Sequence, residues 1–428
     1  MTNTKIMETK PFNVIAEELI NRLAGPLIKI GNIPAVAAVR DGLIATIPLI
    51  IIGSLFLLTA MLGQNNTFSE FALLPALSPY SLKLVVFFSM TMNFIALYAA
   101  LAIGLIYAKN LNIDVVGAAL LALASFFLFN FNSVEAGLDS RMFSATGLFT
   151  AIVSSLLSVK CYSIFIKRKI TIRMPEGVPP NVINAFVALI PYLLILGAFW
   201  FIRSILDFNF SSTINEALIP ILNASDSIIV FTLIKFITLL LWAIGMHGDN
   251  MMLPLVSPMT YRWVAENAQA VSQGVPLTQL PHIWTTVVER ISMWPASVWS
   301  VLALMWFSRL KQARTLAIIA TPAAIFTIVE PVIFGLPLVL NPFLIIPFVV
   351  SGTISSLITY AAFSLEWINR VFVELPWATP PFISGYIATG GDWMALVLIV
   401  VNFLLGLIIY YPFWKAYERS QLAENNPR

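Results

Sequence analysis

The sequence predicts an all-α, polytopic membrane protein with about ten transmembrane helices. Two observations carry this. Of the 428 residues only 11% are charged and 59% are hydrophobic, whereas soluble domains carry about a quarter charged residues. The apolar residues are also gathered into runs that can cross a hydrocarbon core, which needs roughly 20 residues per helix.

Taken in order, apolar length places spans over roughly 33–62, 82–108, 114–133, 142–166, 182–206, 227–246, 293–309, 315–337, 338–362 and 392–414. Two regions resist a plain span. Residues 247–292 hold Asp249, Glu266, His282, Glu289 and Arg290, too many ionisable groups for a lipid-facing helix. Residues 363–391 hold Glu366, Arg370 and Glu374, with Asp392 beside them and a centre rich in proline and glycine.

Orientation follows the basic residues. Lys5, Lys10, Arg22 and Lys29 precede the first span, and Lys160, Lys167, Arg168, Lys169 and Arg173 follow the fourth. Arg309, Lys311 and Arg314 form the next cluster, and Lys415 and Arg419 follow the last span. The loops around Glu135 and Asp139, and around Asp207, Glu216 and Asp226, lean acidic. Both termini are therefore expected on the cytoplasmic side. The N-terminal 25 residues lack the apolar core and small-residue cleavage site of a signal peptide, and read as a cytoplasmic tail leading into an amphipathic helix.

A net charge of +3 is too small to suggest a nucleic-acid partner. The single cysteine, Cys161, excludes a disulfide framework or thiolate metal cluster within one chain and reads as a small hydrophobe. No metal-ligand spacing, nucleophile elbow or phosphate-binding glycine loop is present, so no metal or cofactor is expected.

The chain divides near 207–226. Residues 1–206 form an N-terminal membrane domain of ordinary spans, 207–226 an amphipathic linker, and 227–428 a C-terminal domain invaded by prolines, glycines and charges. Chemistry is expected in that second half.

Its leading candidate is Glu330, in an apolar stretch with five prolines: Pro322, Pro331, Pro337, Pro342 and Pro347. Proline removes a backbone donor and disturbs the preceding turn, and the freed carbonyls need protein or water. A helix break or re-entrant hairpin lining a wet cavity follows, with Glu330 facing it. His247 lies between Gly245 and Gly248, beside Asp249 and Asn250, where glycines let the backbone leave a helix. His282, the other histidine, reads as a loop residue. Trp242 and Trp377 flank the broken segments. Aromatic faces suit the C–H faces of pyranose rings, while carboxylate, amide and imidazole groups take hydroxyls, so the set is sugar-like. A proton-coupled secondary carrier would also use an intramembrane glutamate and broken helices.

Five segments together resemble one family over nearly the whole chain: MPEGVPPNVINAFVALIP at 174–191, GMHGDN at 245–250, VEPVIFGLPLVLNP at 329–342, PWATPPFISGYIATGGDW at 376–393 and YYPFWKAYE at 410–418. The family is the membrane component, enzyme IIC, of the lactose/cellobiose/diacetylchitobiose branch of the bacterial phosphotransferase system. The resemblance implies ten membrane helices with two re-entrant hairpins in the C-terminal half, a homodimer built on the N-terminal half, and a place in the bacterial cytoplasmic membrane. It implies import of a disaccharide, with cellobiose or a related β-diglucoside or chitobiose preferred, while a separate enzyme IIB carries a phosphoryl group from a phosphocysteine to the sugar 6-hydroxyl. Residue by residue it places Glu330 and His247 at that hydroxyl and assigns sugar stacking to Trp242 and Trp377. Asn250 and Asn341 are expected as further polar contacts, and the basic groups at 167–173 and 309–314 as docking surfaces for enzyme IIB. The sequence departs from the family at Val329, where an asparagine usually precedes the glutamate.

Overall fold

A computed structural model describes residues 29, 32–63, 74–133, 137–172, 180–336, 338–339 and 341–425. Among these residues the regular elements are helices apart from one short hairpin, Phe131–Ser133 paired with Gly137–Leu138. Six helical stretches are long and apolar enough to cross a membrane: Pro34–Ala60, Pro75–Leu111, Ala145–Lys167, Phe186–Ser204, Phe343–Ser364 and Trp393–Ala423. Val115–Phe129 and Ile228–Ala243 are shorter apolar helices. These eight coincide with eight of the expected spans.

The N-terminal half contains α1 (Pro34–Leu62), α2 (Ser81–Met92), α3 (Ile95–Leu111), α4 (Val115–Phe129), α5 (Leu148–Lys167) and α6 (Pro180–Ser204). The expected 82–108 span is two helices, interrupted at Asn93 and Phe94. Helix α3 packs on α1, α4 and α5 through Ala96, Ala99, Ala100 and Gly104, all buried. Without a hydrophobic drive between helices in lipid, small residues bring backbones close enough for dispersion and polar contacts. A Cβ on Gly104 would overlap that of Ala122 on α4, and the Ser155 hydroxyl of α5 donates to the Ala100 carbonyl across 3.0 Å.

Helix α7 (Phe210–Ser225) follows a left-handed residue at Asp207 and occupies the expected linker. Phe210 stacks on Phe129 with centroids 4.0 Å apart, and the Ser211 hydroxyl donates to the Phe129 carbonyl at 2.7 Å. Helix α7 is thus pinned to the end of α4.

The second half runs through α8 (Ile228–Ala243), α9 (Gly248–Ser272), α10 (Thr286–Trp294), α11 (Ser300–Trp306), α12 (Lys311–Ile325), α13 (Glu330–Gly335), α14 (Pro342–Ser364), α15 (Pro381–Ala388) and α16 (Trp393–Asn425). Helix α14 is central, packing on α8, α10 and α16, while α9 packs on α1 of the first half. The other two expected spans depart from plain helices. The one placed at 293–309 starts earlier, at Thr286, and passes through a π turn at Pro295–Trp299 before α11. There Pro295 leaves the Ile291 carbonyl without its helical donor, and the Asn402 side chain donates to it instead at 3.2 Å. The stretch expected at 315–337 is two helices, α12 and α13, with non-helical backbone between them.

Candidate functional site

The first wall of the site is the turn between α8 and α9, where Gly245, His247 and Gly248 each have a physical reason to be there. Gly245 sits at φ +90°, a conformation that strains residues with a Cβ. At Gly248 a Cβ would collide with the Thr238 carbonyl oxygen and the Trp242 indole, so only glycine lets α9 start against α8. His247 is the N-cap of α9, its Nδ1 accepting the Asn250 backbone N–H at 3.2 Å. With Nδ1 occupied as an acceptor, a neutral imidazole carries its proton on Nε2.

The second wall is the break between α12 and α13. Thr327 adopts φ +61°, rare for a β-branched residue, and its hydroxyl donates to the Trp377 carbonyl at 2.9 Å. Strained backbone held by its surroundings is typical of functional sites. The break precedes Glu330, and Pro331 lies in the first turn of α13, where its missing N–H costs no helical bond. Pro342 likewise opens α14, and Pro322 and Pro347 lie inside α12 and α14. Pro337 lies outside the described residues. Proline therefore restarts helices here more than it breaks them.

The two walls bring His247 and Glu330 together. His247 Nε2 lies 3.4 Å from Glu330 Oε1, with the side chains 37% and 40% exposed. The separation is long for a formed hydrogen bond, and both polar tips remain open to a ligand hydroxyl. Asn250 shares the turn and is exposed. Trp377 is 70% exposed and is tied by its carbonyl to Thr327, three residues before Glu330.

Two candidates are placed differently from expectation. Trp242 is only 1% exposed. Its ring lies 4.2 Å from the imidazole of His247, with Trp294 and Phe334 at about 6 Å, and its indole N–H donates to Asp249 Oδ2 at 2.8 Å. It supports His247 and has no free face for a sugar in this conformation. Asn341 is the N-cap of α14, its side-chain oxygen accepting the Phe343 N–H at 3.1 Å, so that oxygen serves a helix end. At Val329 the side chain is 2% exposed within an apolar cluster with Ala324, Val332 and Ile333, so the residue that departs from the family points into packing.

His282 is a loop residue, as expected, but an engaged one. Its Nε2 lies 2.7 Å from Glu266 and its Nδ1 3.3 Å from Asp226. Asp226 also accepts the backbone N–H groups of Ile283 and Trp284 and the hydroxyl of Tyr360. Burial disfavours the imidazolium, but hydrogen bonds to the two carboxylates, and their charges, outweigh it and raise the His282 pKa. Burial likewise opposes the Asp226 carboxylate, yet its His282 and backbone donors hold its pKa below the ordinary value.

Sequence reasoning missed a buried ionic network. Lys235 of α8 pairs with Glu289 at 3.0 Å, which also accepts the Trp284 indole N–H at 2.5 Å. Arg290 lies 3.4 Å from Glu374 and donates to the carbonyls of Leu375 and Pro376, while the Thr286 hydroxyl donates to Glu374 at 2.6 Å. The backbone before Trp377 is thereby clamped from α10. Lys235 was the readable signal: a lone charge inside an apolar run needs a partner.

With this geometry in view, similarity to known proteins is informative. Residues 40–352 match the family described as "Phosphotransferase system, EIIC". The chain is 31% identical to the lichenan permease IIC component of Bacillus subtilis (strain 168), over 97% of this chain and 95% of that protein. It is 31% identical to the cellobiose-specific EIIC component of Geobacillus stearothermophilus, over 95% and 94%. The lactose-specific EIICB component of Streptococcus mutans is 28% identical, over 90% of this chain and 70% of that protein. The structure resembles the crystal structure of the transporter ChbC, the IIC component from the N,N'-diacetylchitobiose-specific phosphotransferase system. The TM-score is 0.85 at 27% identity, covering 96% of this chain and 100% of that one.

Proposed function

The chain belongs to the phosphotransferase system EIIC family, a membrane-embedded multi-pass sugar permease, and from that premise we propose that it holds a β-linked disaccharide of the cellobiose type between Glu330 and His247. The observation that carries this reading is the facing of His247 Nε2 and Glu330 Oε1 across 3.4 Å from two separate helix breaks. The substrate class is supported by relatives named for lichenan, cellobiose and diacetylchitobiose.

In this reading Glu330 accepts the 6-hydroxyl proton in a hydrogen bond and orients the oxygen toward a phosphocysteine on a separate EIIB. Phosphoryl transfer asks mainly for positioning, and a carboxylate within hydrogen-bond reach can also take the hydroxyl proton as the new P–O bond forms and the P–S bond breaks, leaving the cysteine of EIIB as a thiolate. His247 Nε2–H donates to Glu330 or to a neighbouring hydroxyl. The exposed ring of Trp377 covers one sugar face, and Asn250 offers an amide beside the imidazole. Asn341 serves the site by capping α14. Trp242 acts from behind His247.

Translocation moves the C-terminal half with its sugar against an N-terminal half that forms the homodimer, both termini lying on the cytoplasmic side. The two re-entrant hairpins fall in the C-terminal half, one of them around Glu330. Phosphorylation then retains the product, because a phosphate dianion crosses an apolar gate at high cost. An EIIB donor accords with the lactose relative, whose name, EIICB, joins the two components. Lys167–Lys169 and Arg309–Arg314 are its docking candidates; Arg173 lies outside the described residues.

Vesicle uptake of labelled cellobiose, with and without phosphoenolpyruvate and the soluble phosphotransfer proteins, tests the reading. Sugar should arrive phosphorylated and only with the complete system. Unmodified sugar entering in response to a pH gradient would overturn it in favour of an ion-coupled secondary transporter, which the family membership does not favour.

A further inference from the structure

We propose that Asp249 is a positioning residue for the sugar site, setting the imidazole of His247 through the indole of Trp242; the sugar part of this rests on the reading above. Three contacts form the chain. The Asp249 carboxylate accepts the Trp242 indole N–H at 2.8 Å. The indole lies 4.2 Å from the imidazole and inclined to it by 42°. The imidazole reaches Glu330 at 3.4 Å.

An indole ring in a packed environment is stiff about its two side-chain torsions, and its one polar atom decides which orientation is stable. Trp242 is buried, so its N–H needs an acceptor inside the protein, and Asp249 supplies it from the first turn of α9. The same ring touches Phe334 on the helix that begins with Glu330. Trp242 is therefore the common support of both walls, and Asp249 is what fixes its rotation. Gly248 between them keeps the helix start pressed on the indole.

A rival role exists for the carboxylate. Lys235, Glu289 and His247 lie within electrostatic range of it, and it could act only as a counter-charge to Lys235. The two roles separate on substitution. Asp249→Asn keeps an oxygen acceptor for the indole and removes the charge, whereas Asp249→Ala removes both. Trp242→Phe keeps the ring and removes the donor.

The chain has only two histidines, which provides a readout independent of sugar. His247 is partly exposed and His282 is engaged by two carboxylates. Diethylpyrocarbonate modification of the purified full-length protein, resolved by peptide mass spectrometry, reports on both, with His282 as the internal measure of an intact fold. Loss of a buried hydrogen bond should raise His247 reactivity roughly fivefold in Asp249→Ala and in Trp242→Phe, with no further gain in the double variant. Asp249→Asn should stay within about twofold of the parent.

Cellobiose affinity measured on the same preparations should follow the same order. Equal damage from Asn and Ala, additive effects of Ala and Phe, or unchanged His247 reactivity would each overturn the proposal. If Asp249→Ala exposes His282, the fold has failed, and Trp242→Phe against Asp249→Asn decides the question. A parent protein that binds no cellobiose but shows the reactivity pattern would remove the sugar reading while leaving the positioning chain intact.

Discussion

The two histidines are placed in opposite ways by the same fold. His247 caps a helix, is backed by one aromatic ring and faces one carboxylate across an open gap. His282 sits between two carboxylates, with Trp263 stacked at 5.6 Å, and its carbonyl accepts from Asn267 at 2.8 Å. A saturated set of partners fixes structure, and an unsaturated one is available for a ligand. The contrast also maps onto the chain: His282 and Asp226 tie the end of the linker helix to the C-terminal half, whereas His247 joins two helix breaks within it.

The strongest way to sharpen the comparison is at Glu330. Glu330→Gln keeps the shape and removes the charge and the proton acceptor. Phosphoenolpyruvate-dependent uptake should fall by at least roughly a hundredfold, with membrane insertion and size-exclusion profile unchanged. Normal uptake by this variant would remove Glu330 from the chemistry.

Alanine at each histidine comes next. His282→Ala leaves two buried carboxylates facing each other, and breaking a buried ion pair costs about 3 kcal/mol or more. It should lower the apparent Tm clearly and reduce yield. His247→Ala should leave Tm near that of the parent and weaken cellobiose binding by roughly tenfold, the loss of one hydrogen bond. A reversal of this pattern would mean the two roles are exchanged.

Much of this is legible in the sequence. Eight of ten apolar spans became helices near the expected places, because length and hydropathy are set by the bilayer. Glu330 and His247 were legible because each is polar in an apolar context beside residues that interrupt a helix. Trp242 was not, since its spacing from His247 fits both a ring facing a ligand and one buried behind the imidazole; only packing separates them. Asn341 has a second role that its residue type alone does not separate from ligand binding, because an asparagine before Pro-Phe caps a helix by local geometry. The Lys235–Glu289 and Arg290–Glu374 pairs join residues 54 and 84 positions apart, and one sequence offers no way to match such partners.

Val329 gives a smaller test of the same distinction between packing and chemistry. Its side chain is buried in an apolar cluster, so Val329→Asn would place an amide there with no partner in the described structure. The expected cost is about 1–3 kcal/mol of stability, read as a lower apparent Tm, with no gain in sugar affinity. A tighter-binding, equally stable variant would show that this backbone turns to present position 329 to the ligand.

The smallest effect is the pH dependence of the His282 clamp. The His282 pKa is raised in the fold, so its contribution is complete below the unfolded value of about 6.5 and is lost as pH rises through the folded one. The Asp226 pKa is lowered, so its contribution is complete above about 3.9 and is lost as pH falls through the folded value. Between these limits imidazolium and carboxylates are all charged, and the clamp is strongest. Apparent Tm should therefore decline on the alkaline side in the parent, and His282→Gln should flatten that limb. Asp226→Asn should flatten the acid limb and weaken the alkaline one, because it removes one of the two charges that raise His282. If His282→Gln leaves the alkaline limb unchanged, the imidazole is already neutral in the fold, and Asp226 is held by the backbone donors of Ile283 and Trp284 and by the Tyr360 hydroxyl.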